Sequence, residues 1–159
     1  MGTFTLVHVL ISLAAIASGF VVVGGLIVAK PYPRWTWFFL STTVATSVTG
    51  FFFPFHKFTP AHAVGIISLI SLAAAIFALY RRKLSGAWRW VYVVNAVLSL
   101  YLNFFVLIVQ SFQKIPALNK LAPTQTEPPF AIAQSAALLA FVALGIASAI
   151  RFRPRLASA

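Results

Sequence analysis

Six uncharged polar side chains between Tyr92 and Gln113 recur at a spacing that places them along one side of a helix. At about 100° per residue, with Asn95 at zero, Tyr92 and Gln110 fall near 60°, Ser99 near 40°, Asn103 near 80° and Gln113 near 0°. Asn or Gln facing lipid is costly, so this arc of about 80° faces inward. Two kinds of chemistry suit it. Uncharged polar groups join membrane helices by hydrogen bonds, at about 0.6 kcal/mol each. The same stripe can also line a cavity or path for a small polar ligand, water or a quinone-like headgroup. Gln134, Ser135 and the face formed by Thr42, Thr46 and Thr49 are its natural partners.

A second constellation consists of histidines. His8, His56 and His62 map to the same side of the chain's topology, and so does the lone carboxylate, Glu127. Three imidazoles and a carboxylate satisfy a four-coordinate divalent metal such as zinc, and two imidazoles alone can ligate a haem iron. Against this stands the spacing of His56 and His62, which flank a turn and do not share one helical face. Most other templates fail. There is no Asp and no Cys, so disulfides, thiolate sites and carboxylate pairs are excluded. No phosphate loop, nucleophile elbow or HExxH motif occurs. None of the apolar stretches carries an ionisable residue near its middle, which argues against proton-coupled transport.

The elements that must position these residues are legible from composition. The chain is 61% hydrophobic and 8% charged, more apolar than a soluble domain of 159 residues can hide from water. Apolar stretches run at about 6–29, 35–55, 61–80, 88–112 and 129–150, each near the ~20 residues that span a bilayer. The first has no Lys or Arg ahead of it, unlike a cleaved signal peptide, and reads as a retained span. Lys30-Pro-Tyr-Pro-Arg34 ends the first span, Thr59 and Pro60 cap and open the third, and Ser85-Gly86 turns into the fourth. Short connections make neighbouring helices antiparallel. Only the fourth connection, the loop 113–128 with Pro116, Pro123, Pro128 and Glu127, is long enough to fold back over the bundle.

Charge then orients the bundle. Lys30, Arg34, Arg81, Arg82, Lys83, Arg89, Arg151, Arg153 and Arg155 lie on one side, against Lys57, Lys114 and Lys120 on the other. The rich side belongs in the cytoplasm, which places the N-terminus outside. The net charge of +11 therefore calls for anionic lipid headgroups at the cytoplasmic face as its partner, and not nucleic acid.

GFFFPF (50–55), GIISLI (65–70), GAWRWVYVV (86–94), YLNFFVLIVQSF (101–112) and APTQTEPPF (122–130) together resemble a group of small uncharacterised inner-membrane proteins of proteobacteria. The similarity runs from about Arg34 to Arg153. It implies a bacterial inner membrane and no particular activity.

The expected fold is all-α: one integral membrane domain over 1–159, a bundle of five transmembrane helices with the C-terminus cytoplasmic. The expected role is non-enzymatic. A partner subunit or small lipophilic ligand would bind through Tyr92, Asn95, Ser99, Asn103, Gln110, Gln113 and Gln134, beneath the outer loop. A redox subunit holding haem or a divalent metal, and a small-solute facilitator or channel, are the alternatives. A homo-oligomer is compatible with each. A fluorescent protein fused after Ala159 should glow in the cytoplasm of a bacterial host. A fusion partner active only in the periplasm would invert the topology.

Overall fold

A computed structural model of the chain describes residues 2–53 and 60–153. Among them there is no strand. The helices are α1 (Thr3–Ile27), α2 (Pro33–Gly50), α3 (Pro60–Ile76, prolonged by a π-helical turn over Phe77–Arg81), α4 (Trp88–Lys114), α5 (Pro116–Leu121) and α6 (Pro128–Arg151). The Thr59 cap lies outside the described residues, but Pro60 does open α3. Prolines likewise occupy the first turns of α2, α5 and α6, where a missing N–H costs nothing.

Four segments, Thr3–Ile27, Pro60–Arg81, Trp88–Lys114 and Pro128–Arg151, are long and apolar enough to cross a membrane. This is a multi-pass membrane protein. The expected second span differs. α2 has 18 residues, about 27 Å at 1.5 Å per residue, and its helical part stops at Gly50. It opens with Pro33-Arg34-Trp35-Thr36-Trp37 and holds seven Ser and Thr residues, which dilute its hydropathy. Two of those hydroxyls are returned to the helix itself: Thr42 donates to the Phe38 carbonyl at 2.7 Å and Thr49 to the Ala45 carbonyl at 2.6 Å. Back-bonding of this kind lowers the cost of a hydroxyl in apolar surroundings.

Successive long helices run antiparallel, as the short connections require. His8 meets Thr49 and Ser47 meets Ser68; Ser71 meets Asn95, and Gln134 meets Phe105. α4 is the central helix, packed against α1, α3 and α6. In its most apolar stretch 44% of residues are buried, against 11% in α6, which lies at the edge.

Small residues set how closely α1 can approach its neighbours. A Cβ added at Gly19 would lie 2.5 Å from Leu100 Cδ1 of α4 and 2.8 Å from Phe39 Cε2 of α2, and both partners are fully buried. Lipid offers no hydrophobic drive between helices, so such van der Waals contact is what holds them. At the end of α1, Gly25 sits 2.7 Å, by the same measure, from the Lys30 carbonyl, where the chain reverses with Ala29 at φ 55°.

The two ends of the bundle differ in charge. Among the described residues Lys30, Arg34, Arg81, Arg82, Lys83, Arg89, Arg151 and Arg153 lie at one end, and Lys114 and Lys120 at the other. The basic end carries all four Trp, with Arg82 over Trp88 at 5.1 Å and Arg89 over Trp90 at 4.3 Å. Arg89 also ties α4 to α6. Its Nη1 donates to the Ala149 carbonyl at 2.9 Å and to the Phe152 carbonyl, satisfying groups that a helix C-terminus leaves unpaired.

Two adjacent glycines give a direct test of this packing. Gly24 has nothing within 4 Å of an added Cβ, whereas Gly25 faces backbone that cannot swing aside. Gly24→Ala should be neutral or stabilise by up to about 1 kcal/mol through helix propensity. Gly25→Ala should destabilise by about 1–3 kcal/mol. Reversible unfolding in mixed micelles measures both, and equal stabilities for the two variants would contradict the close turn.

Candidate functional site

The tight contact around Gly19 gives way, toward the N-terminal end of α1, to a cavity of about 550 Å³ enclosed by α1, α2, α3 and α4. That is within the range of small-ligand sites, and its walls are mostly aliphatic and aromatic. It has two tiers. The mouth holds His8, His62, Gln110 and Lys114; the floor holds Ser12, Thr46, Ser47, Ser68 and Asn103. From Asn103 to Lys114 helix α4 rises about 16 Å, so the cavity reaches well into the bundle.

At the mouth, His8 Nδ1 lies 2.8 Å from Thr49 Oγ1. The Thr49 hydroxyl already gives its single proton to the Ala45 carbonyl, so its oxygen accepts from His8 Nδ1–H. For the neutral imidazole this selects the Nδ1–H tautomer, whose Nε2 is a hydrogen-bond acceptor. Phe53 packs edge-on against the His8 ring with centroids 5.0 Å apart, and Phe51 packs against His62 at 5.9 Å. Lys114 ends α4, exposed.

The floor is uncharged. Ser47 donates to Ser68 at 3.0 Å, and Ser12 to the His8 carbonyl at 2.7 Å. Two polar groups there have no partner among the described residues: Asn103 Nδ2 and Thr46 Oγ1 are buried without a hydrogen bond. Asn103 is only 9% exposed. A buried polar group left unpaired costs about 1–3 kcal/mol, so unpaired donors beside a cavity mark the place where something else can supply an acceptor.

The six-residue stripe expected on α4 divides along the helix. Asn103 and Gln110 face the cavity. Asn95 and Ser99 instead bond to α3: Ser71 Oγ lies 3.0 Å from Asn95 Oδ1 and Ser99 Oγ 3.3 Å from Ser71 Oγ, while Asn95 Nδ2 donates to the Val91 carbonyl at 2.8 Å. These residues join helices and lie outside the cavity lining. Tyr92 is buried at the basic end, where its hydroxyl meets Thr36 beside a separate pocket of about 160 Å³. Gln113 is exposed and approaches Gln125 at 3.4 Å. Gln134 donates to the Phe105 carbonyl at 3.3 Å in the α4–α6 seam, outside the cavity lining.

The histidine constellation is drawn together in part. His8 and His62 share the cavity, and His56 lies outside the described residues. Glu127 is elsewhere: its carboxylate accepts from Thr124 Oγ1 at 2.8 Å, Thr124 N at 3.2 Å and Thr126 N at 3.1 Å. Among the described residues no three His, Cys, Asp or Glu side chains come close enough to hold a metal ion. The outer connection also takes a course of its own. It folds back on α4, with Gln125 Nε2 on the Val109 carbonyl at 2.9 Å and Asn119 Nδ2 on the Phe112 carbonyl at 3.1 Å, and only Lys114 and Ile115 of it touch the cavity.

The polar lining residues that sequence reasoning missed are Thr5, Ser12, Ser47, Ser68, Ser111 and Lys114. One signal was available, because Ser12 stands four positions after His8 and so on the same face of α1. Comparison of the chain with protein-family models, curated proteins and solved structures gives no match in any of the three. The geometry of the cavity therefore carries the functional argument alone.

The Glu127 turn makes a pH prediction. Desolvation favours the neutral acid, but the Thr124 hydroxyl and the backbone N–H groups of Glu127, Thr124 and Thr126 outweigh it and hold the carboxyl below its ordinary value. A lowered folded pKa means that the anchor is present above the unfolded value and is lost as pH falls through the folded one. Amide exchange at Thr124 and Thr126, corrected for intrinsic rates, should be steady from about pH 5 to about pH 8 and accelerate below about pH 4. Glu127→Gln should show the faster exchange already at neutral pH. Unchanged protection in that variant would remove Glu127 as the anchor.

Proposed function

We propose that this chain is a small non-enzymatic membrane protein that holds a lipophilic ligand in the cavity between α1, α2, α3 and α4. The observation that carries the reading is Asn103, whose amide nitrogen is buried, with no partner among the described residues, on the wall of a cavity large enough for a ligand. The groups that join α3 to α4, Asn95, Ser71 and Ser99, are bonded to one another. Asn103 is of the other kind.

In this reading α2 is a fifth span, because it lies along α1 from the Tyr32–Gly25 contact to the Thr49–His8 contact. The basic, Trp-rich end faces the cytoplasm of a bacterial cell and its anionic headgroups. The cavity then opens toward the outer face of the inner membrane. Its depth and its aliphatic walls suit a molecule drawn from the bilayer.

The test is extraction. Protein purified in mild detergent and extracted with organic solvent should release one lipophile in near-stoichiometric amount, identified by mass spectrometry. Ser12→Phe, which fills the cavity from α1, should release little of it while keeping the same melting temperature within a few degrees. Equal recovery from a folded Ser12→Phe protein would reject the cavity as the site.

A further inference from the structure

We infer that the ligand enters this cavity head first and that its head is neutral and bears a carbonyl group, as a quinone's does. The inference rests on the reading of the cavity as a binding site and adds the chemical class of its occupant.

The argument turns on where charge and unpaired donors lie. Among the described residues the Lys or Arg in the lining is Lys114, at the mouth, and no Asp or Glu lines the cavity. An anionic amphiphile such as a fatty acid would put its carboxylate beside Lys114 and its hydrocarbon tail on the floor. That arrangement leaves Asn103 Nδ2 and Thr46 Oγ1 buried against methylene groups, still unpaired. Reversing the molecule would drive a carboxylate to the floor, about 16 Å from Lys114, among neutral side chains. A buried charge with no counter-ion is the costlier error. A neutral carbonyl avoids both faults. It accepts from Asn103 and Thr46 at the floor, needs no counter-charge, and leaves the apolar walls to its tail or ring.

The donors are free to respond. No hydrogen bond from Asn103 has to be broken, and its terminal torsion is broad and two-fold, so the amide can turn its N–H₂ toward an incoming acceptor. Ser47 and Ser68 are satisfied by each other and can stay as they are. His8 Nε2 remains an acceptor at the mouth, suited to water or to a donor on the outer part of the ligand.

Two probes with alkyl tails of nearly equal length separate the possibilities. Decylubiquinone carries a neutral dicarbonyl head and decanoate an anionic one. Each is titrated into purified full-length protein in nanodiscs, with binding read by equilibrium dialysis. The quinone should bind the parent, and about five- to tenfold more weakly to Asn103→Leu, the factor one neutral hydrogen bond supplies. Lys114→Met should leave its affinity unchanged. Because Asn103 Nδ2 has no partner to lose, Asn103→Leu should fold; Thr46→Val, with a several-fold loss expected, is an independent second variant.

Quinone affinity within twofold of the parent in both variants would overturn the inference. So would decanoate binding more tightly than the quinone and losing affinity in Lys114→Met. That result would place the head at the mouth and leave the cavity as a site. Binding of neither probe, from a preparation that does release a lipophile on extraction, would overturn the carbonyl head alone. Binding of neither probe and an empty extract would overturn the cavity reading with it.

Discussion

The close approach of α1, α2 and α4 at Gly19 governs the rest of the molecule. A hydrogen in place of a side chain lets Phe39 and Leu100 meet the α1 backbone directly, and both are fully buried as a result. Membrane helices have little but van der Waals contact and hydrogen bonds to hold them together, so the point of closest packing acts as the pivot of the bundle. Toward the basic end the chain closes with the Gly25 turn and the Arg89 tie to α6. Toward the other end the cavity lies between the helices.

Polar groups in this setting sort into two populations. Most are spent locally or across a seam: Thr42 and Thr49 on their own helix, Ser47 on Ser68, Asn95 and Ser99 on Ser71. With no water in the surrounding hydrocarbon, each such bond relieves a desolvation cost as well as adding attraction. Asn103 and Thr46 belong to the minority left unpaired, and they share one floor. Their coincidence with the larger cavity is what raises them above helix glue.

Electrostatics divides along the same axis. At the basic end Arg82 and Arg89 stand over Trp rings and Arg89 also caps α6, the arrangement expected where headgroups begin. The opposite end is sparse in charge, with Lys114 at the cavity mouth and the single carboxylate held inside its own turn by Thr124 and Thr126. Glu127 thereby shapes the entry to α6 and contributes nothing to the cavity.

Composition and periodicity were enough to make helices of these segments, because twenty-residue apolar runs have no other way to satisfy their backbone in lipid. The four most apolar spans, the proline that opens α3 and the asymmetry of basic residues were legible in that way, whereas α5 falls inside the stretch expected to be a loop. α2 was the hardest to read, since its seven hydroxyls look polar in a sequence, whereas Thr42 and Thr49 turn theirs to carbonyls of their own helix and Ser47 turns its own to Ser68. The stripe on α4 was legible as an inward face and no further. Helical periodicity gives the side of a helix on which a residue lies and is silent on which neighbour it meets at each height. Tertiary packing made that division, giving Asn95 and Ser99 to Ser71, Gln113 to the loop, and Asn103 with His8 to a common cavity. Each outcome depends on helix register across lipid-embedded seams, a property of pairs of helices that no single segment encodes.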